Sequence, residues 1–181
     1  ADPWCHITTR TEPALASDEI QFLKPIDDAL WIGTLSGLTR YRNGNFAVVS
    51  RYETVRRRHP ETGAWVDVEE LAKVDFQVCA VLRDPDGTMH VGTADGIFTL
   101  NDLQLDAHAL AGNTVGPLAV FDASTLWAVV KNDGRGSSQV YENRTGEWRP
   151  VPAFADRAVI DLVRTPDARL WLVLDGNGAI A

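Results

Sequence analysis

A short apolar core recurs four times along the chain, and it limits the possible folds more than any other feature. Three copies begin with Leu-Trp, and the first two end with Gly-Thr. The copies start 59, 37 and 44 residues apart. The four cores are Leu30–Thr34, Met89–Thr93, Leu126–Val130 and Leu170–Leu174. A period in this range predicts one supersecondary unit repeated four times.

The flanks of the cores repeat as well. Before each core lies a short apolar segment and a polar turn such as Asp84–Gly87, and most cores are followed by a glycine and another apolar segment. Asn43-Gly44 and Thr145-Gly146 are hairpin signals at the next turn. Each unit therefore reads as three or four antiparallel strands, and such a sheet at about 40–50 residues is a β-propeller blade.

We therefore predict an all-β chain, a β-propeller of four-stranded antiparallel blades with about four blades visible. It is either a small closed propeller or part of a larger one. A solenoid or a sandwich is the rival architecture, but sandwich strands do not usually repeat one core at blade spacing. No long window has helical periodicity, and the best helical candidate, Val68–Val74, is expected to form at most one turn in a loop.

Length and charge exclude several classes of protein. The 181 residues suit a single domain, here residues 1–181, or a propeller fragment. The formal charge of −8 argues against general binding to nucleic acid or anionic membranes. No apolar run approaches the ~18 residues that span a bilayer. The start at Ala1 has no leader character, so either the protein is not exported or a signal has been removed.

The first repeat carries a family pattern. The stretch from Asp18 through Leu30-Trp31-Ile32-Gly33-Thr34 to Gly37-Leu38 and Tyr41 resembles the two-component-regulator propeller repeat, and the copy ending at Gly96-Ile97 is similar. The last two copies keep Leu-Trp but lose Gly-Thr. The resemblance implies a bacterial periplasmic, secreted or cell-surface propeller, often the input domain of a membrane-bound sensor kinase in signalling. Such sensors carry more blades, and this chain shows no kinase segment.

Two segments depart from the repeat. Residues 3–10 could form an outer strand that completes the last unit and closes a ring of four blades. Without that strand, the apolar edges of the first and last units are exposed and favour pairing with another chain. Residues 47–75 are predicted to form an extra hairpin projecting from the first blade. That hairpin is either a surface element without a binding role or a partner-binding element. Its candidate contact residues are Tyr52, Arg57 and Trp65.

Motifs for catalysis, metals and cofactors are missing from the sequence. None of the four histidines has metal-motif spacing, and no nucleophile elbow, P-loop or Rossmann fingerprint occurs. His90 stands where other repeats have tryptophan and is interpreted as a packing substitute. We predict no enzyme, no metal and no cofactor, with a propeller hydrolase or lyase as a remaining alternative. Cys5 and Cys79 could form a disulfide in an exported protein, or Cys79 could be a buried thiol.

Two sets of loops are expected on one face of the propeller, where ligands usually bind. One set joins the second and third strands of each blade, and the other leads into each new blade. Their polar residues are candidate ligand or partner contacts: Asp18, Asp95, Asn132, Asp133, Arg135, Asp175 and Asn177.

The sequence leaves three functions open. The first is protein–protein interaction or assembly by an exported propeller, with another propeller chain or fragment among the expected partners. The second is a sensor module for a small molecule or glycan. The third is the hydrolase or lyase. No nucleic-acid partner and no membrane insertion are expected for this segment.

Overall fold

A computed structural model describes residues 6–59, 61–131, 138–155, 157–176 and 178–181, apart from the side chains of 54–57 and 66–72. It contains four antiparallel sheets, which we call blades 1 to 4, and a separate two-stranded hairpin. Blade 1 comprises β1 (Ile20–Ile26), β2 (Ala29–Thr34), β3 (Leu38–Arg42) and β4 (Asn45–Val48), and the hairpin comprises β5 (Arg51–Arg58) and β6 (Trp65–Val74).

The remaining blades follow in chain order. Blade 2 comprises β7 (Val78–Arg83), β8 (Met89–Thr93), β9 (Gly96–Asn101) and β10 (Gln104–Ala109). Blade 3 comprises β11 (Thr114–Asp122), β12 (Thr125–Lys131), β13 (Ser138–Asn143) and β14 (Trp148–Pro150). Blade 4 comprises β15 (Val159–Arg164), β16 (Leu170–Leu174) and β17 (Gly178–Ile180), preceded by a 3₁₀ turn at Pro152–Phe154. The predicted all-β propeller architecture is confirmed.

Local turn chemistry explains the strand boundaries. All four apolar cores are the second strand of their blade and pair with both neighbours. Asn43 and Gly44 have φ of 50° and 82°, which is the conformation that a tight hairpin turn requires and that Asn-Gly adopts readily. Pro117 lies inside β11 where the register with β12 shifts. A proline cannot donate to the ladder, so a bulge is where it is tolerated.

The blades stack in a row through their first strands. Extended contacts join β1 to β7, β7 to β11 and β11 to β15, whereas no contact of that extent joins β15 to β1 among the described residues. Apolar side chains fill the junctions. Trp31 packs with Val81 and Val91 of blade 2, and Trp127 packs with Leu162 and Leu172 of blade 4. The row therefore ends in one sheet face on blade 1 and one on blade 4.

Of the two alternatives for the ends of the chain, the closing strand is not formed over the described residues 6–10, which are irregular and turn structure, and blade 4 has three strands among the described residues. One local prediction is wrong. The predicted helical turn at Val68–Val74 lies within β6, because β5 supplies a pairing partner from Arg51 to Arg58. No helix in the described ranges is long and apolar enough to span a membrane.

The hairpin is attached to blade 2 as well as to blade 1. It follows β4 of blade 1 closely, but Ser50 at its base forms two backbone hydrogen bonds with blade 2. The Ser50 N–H donates to the carbonyl of Leu103, just before β10, and the Ser50 carbonyl accepts from the N–H of Leu105 in β10. These bonds cover part of the edge strand of blade 2. They also hold the base of the hairpin against that blade.

Candidate functional site

The structure describes only some of the polar loop residues that the sequence analysis proposed as ligand or partner contacts. Asn132, Asp133, Arg135 and Asn177 lie outside the described residues. Asp18 accepts hydrogen bonds from the backbone N–H of Thr9 at 2.6 Å and from its hydroxyl at 3.2 Å. The N–H of Asp175 donates to the carbonyl of Ala158 at 2.8 Å. Asp18 therefore fixes the segment that precedes blade 1, and its role as a ligand contact stays a prediction.

Asp95 is also engaged inside the chain. Its carboxylate lies 2.6 Å from Arg51 Nη2 and accepts the N–H of Gly112 at 3.0 Å. Burial by itself raises the pKa of Asp95, but the hydrogen bonds from Arg51 and Gly112 outweigh it, so the pKa lies below its ordinary value. Asp95 and Gly112 belong to the two different sets of loops, so the predicted proximity of these sets is confirmed at blade 2.

Arg51 anchors the base of the hairpin, a role that the sequence did not indicate. Its side chain is only 11% exposed, forms ion pairs with Asp95 and Glu53, and lies over the Phe98 ring at 4.7 Å. An arginine in this setting is held both by charge and by stacking on an aromatic face. The hairpin is therefore attached firmly to blade 2 at one end.

The hairpin candidates are exposed but are not brought together. Trp65 is 60% exposed and stands near the turn of the hairpin, paired in register with Arg58, whose guanidinium lies 5.4 Å from the indole ring. Tyr52 is 43% exposed and stands at the other end, paired with Lys73. The side chain of Arg57 lies outside the described residues. The hairpin thus offers two separate aromatic contacts.

A polar cleft of about 240 Å³ lies between blades 2 and 3, away from the predicted loops. Acidic and imidazole groups of blade 2 form one wall, and hydroxyl, amide and guanidinium groups of blade 3 form the other. The polar lining residues are Asp84, Asp86, Thr88, His90, Ser124, Thr125, Asn143 and Arg144. Such a mixture of donors and acceptors suits a small polar ligand.

The cleft is built around a pair of partly buried ionisable groups. His90 Nε2 lies 2.7 Å from Asp84 Oδ2, and both side chains are 11% exposed. The other oxygen of Asp84 accepts the N–H groups of Thr88 and Asp86 at 2.9 and 3.2 Å. His90 indeed stands at the tryptophan position, as predicted. Its partner was missed, although the two residues are six apart across one tight turn.

Asp86 lies on the rim of the same cleft. Hydrogen bonding with the Asp84 side chain, and then with the side chain and N–H of Thr88, lowers the pKa of Asp86 from 3.8 to about 2. The turn from Asp84 to Thr88 is therefore held by its own acidic side chains, the chemistry predicted for it. Across the described residues, no cluster of three or more acidic, histidine or cysteine side chains could hold a metal ion.

The Cys5–Cys79 pairing stays a prediction, because Cys5 lies outside the described residues.

The architecture defines a β-propeller, and two solved structures are similar to this fold. Two structures of the extracellular domain of BT4673 from B. thetaiotaomicron, one described as a one-component and the other as a hybrid two-component system, superpose with TM-scores of 0.59 and 0.58 at 17% and 16% identity. Each match covers 89% of this chain but 20% of the other chain. The chain thus spans about a fifth of their length. No family model and no curated protein matches it.

Proposed function

We propose that this chain is a non-catalytic, extracytoplasmic segment of a bacterial sensor propeller that binds a protein partner through its inserted hairpin. The fold and the resemblance of the first repeat to the two-component-regulator propeller repeat support the class. The similar solved domains are extracellular parts of signalling systems, which supports the location. The pairing of His90 with Asp84 inside a blade junction supports a structural role for both groups over a catalytic one.

The exposed Trp65 is the observation that carries the protein-binding role. Tryptophan is the residue type most enriched at the energetic centres of protein interfaces, because it buries a large area with few rotatable bonds. Trp65 stands on a hairpin whose base is held by Arg51 and by backbone bonds to blade 2. A rigid base and an exposed aromatic near the turn reduce the entropy lost on binding.

The test compares hairpin variants in partner capture. The immobilised chain is exposed to a periplasmic extract and to surface proteins of bacteria with related sensors, and the retained proteins are identified by mass spectrometry. We expect Trp65→Ala to release a stoichiometric partner that the parent chain retains. Ile7→Ala, which removes an exposed apolar side chain outside the hairpin, should retain it. Identical retention by all three proteins contradicts the proposal.

The cleft favours a second candidate function, a sensor for a small polar molecule such as a monosaccharide. Its volume and its lining of hydroxyl, amide and charged groups support this alternative. The test is the rise in melting temperature with a panel of monosaccharides and polyols. Arg144→Ala, which removes a cation of the cleft, should abolish the rise. Arg149→Ala, a cation of the same blade paired with Glu147 instead, should preserve it. No rise with any compound contradicts this candidate.

A further inference from the structure

A second cleft, of about 420 Å³, lies at the rim of the junction between blades 1 and 2. We call it the arginine cleft, because Arg40, Arg42 and Arg83 line it. Trp31, which is only 6% exposed, lines it from the side of the apolar junction core. This cleft and the polar cleft both lie beside the turns that join the first and second strands of neighbouring blades. The repeat therefore places a cleft at each of these two junctions, with different side chains.

Two aspartates in the lining are paired with two of the three guanidinium groups. Arg42 Nε lies 2.7 Å from Asp28 Oδ2 within blade 1, and Arg83 forms an ion pair with Asp27 across the junction. The lining keeps one positive charge in excess, although the net charge of the whole chain is −8. Because a cleft with low-dielectric walls concentrates the field of its own charges, this local excess attracts an anion.

Arg40 carries that excess charge. It pairs in register with Trp31 and therefore shares the face that points to blade 2. Asp102 Oδ1 lies 4.0 Å from Arg40 Nη1, beyond hydrogen-bond distance, and no other partner of the Arg40 side chain occurs within the part of the chain that the structure describes. The Asp102 side chain is 84% exposed, so water screens its charge and the Arg40 donors stay available to a ligand.

The rest of the lining indicates what kind of anion fits. Ile26, Ala29 and Met89 give the cleft an apolar wall next to the cation. The planar fork of a guanidinium matches the two oxygens of a carboxylate. A doubly charged anion is disfavoured, because the carboxylates of Asp27 and Asp28 stand in the same lining and repel it.

We propose that the arginine cleft binds a small organic monocarboxylate, whose carboxylate pairs with Arg40 and whose apolar body lies against Met89. The site is separate from the hairpin and from the polar cleft, so it goes beyond the proposed function and can fail or succeed independently of it.

The experiment titrates the chain with benzoate at neutral pH and low salt, and NMR follows the backbone amide signals of Gly87 and Met89, which line the cleft. We expect saturable shifts of both signals. Benzamide has the same ring without the charge and should give no saturable shift. Inorganic phosphate, which is partly doubly charged at neutral pH, should bind more weakly than benzoate.

Variants assign the binding to Arg40. Arg40→Gln should weaken benzoate binding by about tenfold or more, because it removes the charged donor. Asp102→Asn should tighten binding by about twofold, because it removes the carboxylate that competes for Arg40, and asparagine suits the φ of 53° at that position. Arg149→Gln, which removes a cation paired with Glu147 in blade 3, should leave the affinity unchanged.

Several outcomes overturn the proposal. These are the absence of any saturable shift with benzoate, equal binding of benzamide, and tighter binding of phosphate. An unchanged affinity in Arg40→Gln overturns it as well, provided that the amide spectrum away from the cleft matches that of the parent chain. Shifts confined to Gly146, which lines the polar cleft instead, also overturn it and would assign benzoate to that cleft.

Discussion

The junction between blades 2 and 3 differs from the junctions on either side of it. At the outer two junctions a tryptophan fills the space between the sheets, whereas at the middle junction the same strand position carries His90. Trp127 stacks on Phe121 at 4.6 Å and meets Phe154 edge-on at 5.7 Å. His90 instead pairs with Asp84 and borders the 240 Å³ cleft.

The comparison shows how one position decides whether a blade junction is dry or polar. An indole buries a large apolar area and closes the space between two sheets. An imidazole is smaller and needs a partner for its nitrogens when it is buried. The Asp84 turn supplies that partner and brings further polar groups with it. The same fold therefore holds a polar site at the middle junction and an indole at the junctions on either side.

The largest expected effect on the free energy of unfolding comes from removing the tryptophan of an apolar blade junction. Because Trp127 is buried between two blades, Trp127→Ala should lower the free energy of unfolding by about 3–5 kcal/mol. Trp171→Ala removes the same side chain from an uncovered face and should cost less than about 1 kcal/mol. Urea denaturation of both variants provides the measurement. Equal losses at the two positions would contradict the expectation that burial between two blades gives Trp127 its larger contribution.

A second test asks whether the middle junction is loose throughout or only at its cleft. A Cβ added at Gly92 would lie 2.7 Å from the carbonyl oxygen of Val115 across the junction, whereas one at Gly116 would lie 3.6 Å from its nearest neighbour. Overpacking of this kind costs about 1–3 kcal/mol, so Gly92→Ala should lower stability by that amount. Gly116→Ala should stay within about 0.5 kcal/mol. Similar unfolding midpoints for both variants would mean that the backbone around the whole junction shifts to accommodate an added methyl group.

Much of the fold could be predicted because its signals are local. The repeated cores, the Asn43-Gly44 turn and the Asp84–Gly87 turn each depend on residues close in sequence. Val68–Val74 was mispredicted because its residues include good helix formers, whereas its conformation is set by β5, and strand preference depends on such context. The closing strand was one of two alternatives for the ends of the chain, and it was based on the usual way of completing a ring and not on a residue pattern. Residues 6–10 do not form it.

The site was harder to predict for a related reason. Asp95 looked like a free loop carboxylate because its partner, Arg51, lies 44 residues away on an inserted element with no counterpart in the repeat. The cleft, in contrast, could be predicted from residues that are close together in the sequence. A histidine in the tryptophan position follows an acidic turn by a few residues, and their strands pair, so the two side chains must lie near each other.

The smallest expected effect tests the polar character of the middle junction through pH. The pKa of Asp86 is lowered to about 2 in the folded chain from 3.8. Between these values the unfolded chain binds the proton more readily, so the contribution of Asp86 is present above about pH 4 and is lost as the pH falls toward 2. Asp86→Asn should therefore flatten the acid limb of stability against pH, because it removes at neutral pH a contribution that the parent chain has already lost near pH 2.

The carboxyl carbon of Asp86 can be followed directly by NMR during the same titration. A midpoint close to 3.8 would contradict the hydrogen bonding with Asp84 and Thr88 that defines the turn. A midpoint near 2 that returns toward 3.8 in Asp84→Ala would assign the shift to Asp84. The rim of the cleft would then stay negatively charged down to low pH, because the turn that positions His90 also keeps Asp86 ionised.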